Sequence, residues 1–310
     1  MLRSVSTIFI TSIILIIFSG TGYSEGKVAV FVSVAPQKYF VQQIGKDLVA
    51  VQVMVQAGAN PATYEPKPRQ MADLSKAKAY FAIGVPFEAI WLRKIAAANP
   101  EMKIVRTDQG IKRVPMATHR HNEGGEAHVA EASRHGAEGS HHADEHSHGG
   151  LDPHIWLSPP LVKIQARTIL TALQALDPLH QGEYQANYRE FITEIDQLDK
   201  QLKQTLAGRR GLRFIVFHPA WGYFARAYGL EQVPIEIEGK DPKPAQLEAL
   251  IKEARQADIK VVFVQPQFSA KSARLVAKAI GGEVVFADPL AEDWAANLKT
   301  VAEKFKTALR

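Results

Sequence analysis

The chain contains no cysteine. No disulfide can staple it, no thiolate can serve as nucleophile or metal ligand, and no lipidated cysteine can anchor it. A basic stripe is missing too: 37 lysines and arginines are interleaved with 32 aspartates and glutamates. Without basic patches carrying aromatics, nucleic acid is excluded as an expected partner. Histidine is scarce over most of the chain, with only His154, His180 and His218 outside residues 119–150. That short tract holds the other eight of eleven.

Long apolar runs are confined to the start. Arg3 supplies a positive charge, Ile8 to Phe18 is apolar apart from Thr11 and Ser12, and Gly22-Tyr23-Ser24 offers a small-x-small cleavage site. The run is shorter than the roughly 20 residues of a membrane span. Residues 1–24 are therefore expected to be a removable export signal. The expected product is a soluble, unlipidated periplasmic protein and a monomer. About 285 residues remain, enough for two domains on a prior of about 150 residues each.

Strand and helix patterns alternate through both halves. KVAVFVSV (27–34), VAVQVMV (49–55), AYFAIG (79–84) and KIVRT (103–107) read as strands, with helices from Pro36, over about 68–77 and from Pro86 to Ala98. RFIVF (213–217), QVPIEI (232–237), KVVFVQ (260–265) and EVVFAD (283–288) repeat the pattern. Continuous apolar runs, in place of strict alternation, fit parallel strands buried on both faces, so two α/β domains follow. Between them, after a helix ending near Asp177, Tyr184, Tyr188, Phe191, Ile195, Leu198, Leu202 and Leu206 recur every three or four residues. Asp177 can cap this second helix, Pro178 suits its first turn and Gly208 marks its stop. A stiff rod between lobes predicts small relative movement.

His180 lies among polar residues and reads as a solvated surface side chain. His218 directly follows a strand, and Asp288 ends another. Ligands gather at the carboxyl ends of parallel strands. With His154, these residues make an N/O donor set that suits zinc, with nickel or copper possible and manganese less favoured. Each has an ordinary alternative, since a strand-end histidine is often only hydrogen-bonded and an Asp before Pro is often a turn. Trp156, Trp221 and Trp294 are read first as core residues that could pack near such a cleft.

Several segments together resemble the zinc/manganese family of ABC-transporter solute-binding proteins. They are VAPQKYFVQQIGKDLV, GANPATYEPKPRQMADLSKA, DPHIWLSP, FHPAWGYFARAYGL, EGKDPKPAQL, VFVQPQFSAKSA and ADPLAEDW. The resemblance covers nearly the whole mature chain. It implies two Rossmann-like α/β lobes joined by one long rigid helix, with the metal in the interlobe cleft. In this chain that divides into an N-terminal lobe (25–176) carrying a His-rich loop (119–150), a linking helix (177–208) and a C-terminal lobe (209–310). By position, His154 and His218 match the second and third family ligands, and Asp288 matches the carboxylate. Histidine at the third position resembles the zinc-type branch; manganese-type members usually carry Glu there. The expected cargo is Zn2+, with Mn2+ or another divalent transition metal as alternatives. The expected partner is a membrane permease with its cytoplasmic ATPase. No catalysis is expected.

One position departs from the family. Where its first ligand is a histidine, this loop reads GANPATYEP and places Ala62. Water, Glu65 or a histidine of the tract could fill the vacated coordination position. Within the tract, HHADEHSH brings His141, His142, His146 and His148 beside two acids. The tract has no apolar period and reads as a mobile loop able to capture metal weakly. Two rival functions remain at this point: a metal buffer or chaperone acting through the tract, and a zinc hydrolase using an open coordination position.

Overall fold

A computed structural model describes residues 26–117, 150–237 and 239–309. The expected export signal lies outside these residues, as do His141, His142, His146 and His148 of the tract.

The first sheet comprises β1 (Val28–Val32), β2 (Val49–Val53), β3 (Ala79–Ala82) and β4 (Lys103–Arg106). All neighbours are parallel, in the order β2-β1-β3-β4. The second comprises β5 (Arg213–Val216), β6 (Glu231–Pro234), β7 (Val261–Val264) and β8 (Glu283–Phe286), also parallel, in the order β6-β5-β7-β8. Helices α1 (Ala35–Gly45), α2 (Pro68–Leu74) and α3 (Pro86–Ala98) serve the first sheet. After α4 (Pro159–Leu176) and α5 (Gln181–Thr205), helices α6 (Gly222–Tyr228), α7 (Pro244–Gln256), α8 (Lys271–Ile280) and α9 (Trp294–Ala308) serve the second half. The interior strands β3 and β7 are buried at every residue, which is why AYFA and VVFV show no alternation. In edge strand β2 the exposed Ala50 and Gln52 alternate with the buried Val49 and the partly buried Val51 and Val53.

Three helices start by the same local device. Proline occupies the first turn of α1, α2 and α7, where its missing N–H would have had no partner. At the third position, the side-chain oxygens of Gln37, Gln70 and Gln246 accept from the backbone N–H of Val34, Lys67 and Lys243 at 3.2, 2.9 and 2.8 Å. These glutamines do from inside the helix what a serine or aspartate cap does from outside.

Helix α5 has 25 residues, about 38 Å at roughly 1.5 Å per residue. Its buried stripe is Tyr184, Phe191, Ile195, Leu198 and Leu202, as the periodicity predicts. Its start differs from expectation. A 3-10 turn over Pro178–His180 precedes the α-helix, and the Asp177 side chain makes no backbone cap. Instead Asp177 Oδ2 accepts from the Tyr184 hydroxyl at 2.7 Å and pairs with His180 Nδ1 at 2.7 Å. His180 is thus hydrogen-bonded to Asp177 and about a quarter exposed, less open than the solvated surface role expected. The helix ends at Thr205, and Gly208 takes a positive φ of 78° in the turn beyond.

Helix α5 packs against α1, α4 and α9, drawing both halves onto one spine. Phe40 of α1 meets Phe191 of α5 at 6.1 Å and Trp294 of α9 edge-on at 5.1 Å. One hydrophobic core cluster therefore runs from the first sheet through the spine into the second half, and a second, with Ile215, Val233, Val262 and Val276, lies within the second half. The segment QVPIEI is strand only as far as Pro234. Past it, Ile235 N and Glu236 N still donate to Val216 O and Phe217 O at 2.8 and 3.1 Å.

Candidate metal centre

Each strand of the second sheet delivers a polar residue just past its carboxyl end. His218 follows β5, Glu236 follows β6, Gln265 and Gln267 follow β7, and Asp288 follows β8. This is the edge where parallel sheets place their ligands. From the other half comes His154, in the loop before a 3-10 turn (Ile155–Leu157) that leads into α4.

The two histidines meet. Their ring centroids lie 5.1 Å apart with an interplanar angle of 71°. His154 Nδ1 is 2.7 Å from Asp152 Oδ1, and His218 Nδ1 is 2.7 Å from Glu236 Oε1. A carboxylate that accepts from Nδ1–H leaves Nε2 of a neutral ring with its lone pair for a metal. The backbone at His218 is clasped by Gln265, whose Oε1 accepts from His218 N at 3.2 Å and whose Nε2 donates to His218 O at 2.5 Å. Phe268 stacks on the His218 ring at 4.9 Å, and Trp156 packs at 5.1 Å from the His154 ring. Burial pushes the His154 pKa below the usual imidazole value, against the opposing pull of the Asp152 carboxylate. His154 is therefore neutral at pH 7, the form that binds metal.

Asp288 lies on the wall of a cleft of about 610 Å³ that is also lined by Lys38, Gln56, Lys67, Gln267 and Glu292. Its Oδ1 accepts from Gln267 Nε2 at 2.8 Å and from Leu290 N at 2.9 Å. Lys38 of α1 reaches across to Glu292 at 2.6 Å, bridging the two halves at this cleft. The structure thus joins His154 to His218 and sets Asp288 in the cleft with Gln267. Among the described residues, no group of three or more His, Asp or Glu is close enough to hold a metal ion. Ala62 and Glu65 are both exposed, on a loop whose flanks Gly58 and Lys67 line the cleft.

Trp156, Trp221 and Trp294 are fully buried, as expected of core residues. Two of them also suture the lobes: Trp156 Nε1 donates to Pro289 O, and Trp294 Nε1 donates to Trp156 O, both at 2.7 Å. Sequence reasoning missed Asp152, Glu236 and Gln265. The Asp-Pro-His spacing was a usable signal for Asp152. Glu236 was hidden because it read as part of a strand.

Two parallel α/β lobes on a helical spine, with a histidine from each meeting at their junction, define a bilobal solute-binding protein. The model of the zinc-uptake complex component A (ZnuA) family, described as periplasmic, matches residues 30–308. The chain belongs to that family. It is 34% identical over 262 residues to the high-affinity zinc uptake system protein ZnuA of Paracoccus denitrificans, spanning 79% of this chain and 77% of that one. With the protein of the same description from Bacillus subtilis it shares 30% identity over 269 residues, 85% of this chain and 79% of the relative. A crystal structure of ZnuA superposes with a TM-score of 0.80 at 42% identity, covering 92% of this chain and 100% of the other.

Proposed function

We propose that this chain is the periplasmic solute-binding component of a metal ABC importer. It captures a divalent ion, zinc first, and hands it to a membrane permease driven by a cytoplasmic ATPase. The observation that carries this reading is the His154–His218 pair, brought together from two lobes with both Nδ1 atoms occupied by carboxylates. Two imidazoles presenting Nε2 form a donor set that favours zinc over manganese. Asp288, on the cleft wall, is the candidate third ligand and has one oxygen free of the Gln267 and Leu290 bonds given above. Family membership supports the same role, since the relatives are named zinc uptake proteins. The stiff spine and the bonds between lobes support capture with small lobe movement. Among the described residues no helix is long and apolar enough to cross a membrane.

Zinc titration of the mature protein tests the proposal. His154→Ala and His218→Ala should each abolish tight one-to-one binding, and Asp288→Ala should weaken it. Deleting residues 119–150 separates this reading from a buffer acting through the histidine tract: tight stoichiometric binding should survive the deletion. Loss of all binding on deletion would mean that the paired histidines are not the site. Turnover of an ester or peptide that His218→Ala removes would favour a hydrolase.

A further inference from the structure

Asp152 and Glu236 are 1% and 5% exposed. A carboxylate removed from water lowers stability unless it is well partnered. Glu236 is incompletely partnered: Oε1 holds His218, while Oε2 is buried with no hydrogen-bond partner among the described residues. An apolar residue there would relieve that cost, so packing does not explain this side chain. Its single described bond is to the imidazole.

Asp152 occupies a seat built from both lobes. Its backbone oxygen accepts from the Tyr223 hydroxyl at 3.0 Å, and that hydroxyl accepts from Val114 N at 3.1 Å. The first residue of α6 must stay small for the carboxylate to fit, since a Cβ on Gly222 would lie 2.8 Å from Asp152 Oδ2. Each lobe thus supplies one histidine and one buried carboxylate on its Nδ1.

We propose that Asp152 and Glu236 are positioning residues of the metal site, fixing Nε2 of His154 and of His218 as the ligating atoms and strengthening both as donors. The inference rests on the metal-binding reading above. Its physical basis is general: a carboxylate accepting the second ring N–H of a ligating histidine sets its tautomer and orientation and raises its basicity. Glu236 performs this task alone on its histidine. Asp152 does it while also accepting from His154 N at 2.9 Å, which locks the backbone beneath the ring.

Two measurements test it. In the metal-free full-length mature protein, 15N NMR should report the Nδ1–H tautomer for both His154 and His218. An Nε2–H tautomer at either would overturn the proposal without any variant being made. Glu236→Gln and Asp152→Asn should each weaken zinc binding by about 10- to 100-fold and shift the visible absorption of bound cobalt. A purely structural role would lower the melting temperature of the metal-free protein and leave the cobalt spectrum unchanged. Wild-type zinc affinity and an unchanged spectrum in folded variants would overturn the proposal. His218→Ala is the control arm. If it leaves zinc binding intact, the metal-site reading fails; if it abolishes binding while Glu236→Gln has no effect, only the positioning role fails.

Discussion

Replacing Trp156 with Phe probes the seam between the lobes. The indole is fully buried, and its Nε1 donates to Pro289 O at 2.7 Å, directly after Asp288. Phenylalanine keeps an aromatic ring but leaves that carbonyl without its donor, which costs about 1–3 kcal/mol. The smaller ring also leaves a partial void, adding roughly 1 kcal/mol, well under the ~3–5 of a full truncation to alanine. The bond from Trp294 Nε1 to the backbone oxygen of residue 156 is retained. Together these predict a loss of about 2–4 kcal/mol. Urea unfolding of the metal-free mature protein, followed by circular dichroism, measures it. With a slope near 3 kcal/mol/M for a chain of this size, the midpoint should fall by about 1 M. Because one core runs through both halves, the shift should appear in a single transition, not in the early release of one lobe. A midpoint unchanged within about 0.2 M would falsify the claim that this hydrogen bond and this packing join the lobes. Zinc affinity should also weaken, since the same ring supports His154.

Three further outcomes are expected. Ala62→His should strengthen zinc binding in a competition titration, because the loop's flanks line the cleft; an unchanged affinity would show that residue 62 does not reach the ion. Zinc affinity should fall as pH is lowered, since each imidazole must lose its proton to bind. Burial holds the His154 pKa below the ordinary value, so this ligand stays available to lower pH than a free imidazole, and direct titration across pH 5–8 reads the trend. For Asp177, burial is the largest single effect and raises the pKa, but the Tyr184 and His180 hydrogen bonds and the His180 charge together outweigh it, and the pKa is lowered from 3.8. A depressed folded pKa means that its contribution is present above the unfolded value and is lost as pH falls through the folded one. Asp177→Asn should therefore flatten the acid limb of the stability curve below about pH 4, as followed by thermal melts in acid buffers.

The sequence alone determined the architecture, because secondary structure here follows local rules. Continuous apolar runs such as VVFV and AYFA fit buried parallel strands, and the three-to-four spacing from Tyr184 to Leu202 fits one face of a long helix. Proline openings placed several helix starts within a residue or two. The same locality explains the errors. Asp177 looked like a cap because capping is judged from neighbours in sequence, whereas its oxygen is claimed by Tyr184 and His180. Glu236 looked like strand because QVPIEI continues the apolar pattern beyond Pro234, where β6 ends. His154, His218 and Asp288 stood out by residue type and strand-end position. That His154 and His218 meet face to edge, while Asp288 stays with Gln267 in the cleft, was decided by how two lobes fold onto α5. Contacts between residues 64 positions apart leave no periodic trace in sequence. The carboxylates on the two Nδ1 atoms and the tryptophan bonds across the seam exist only once burial has fixed every partner in place.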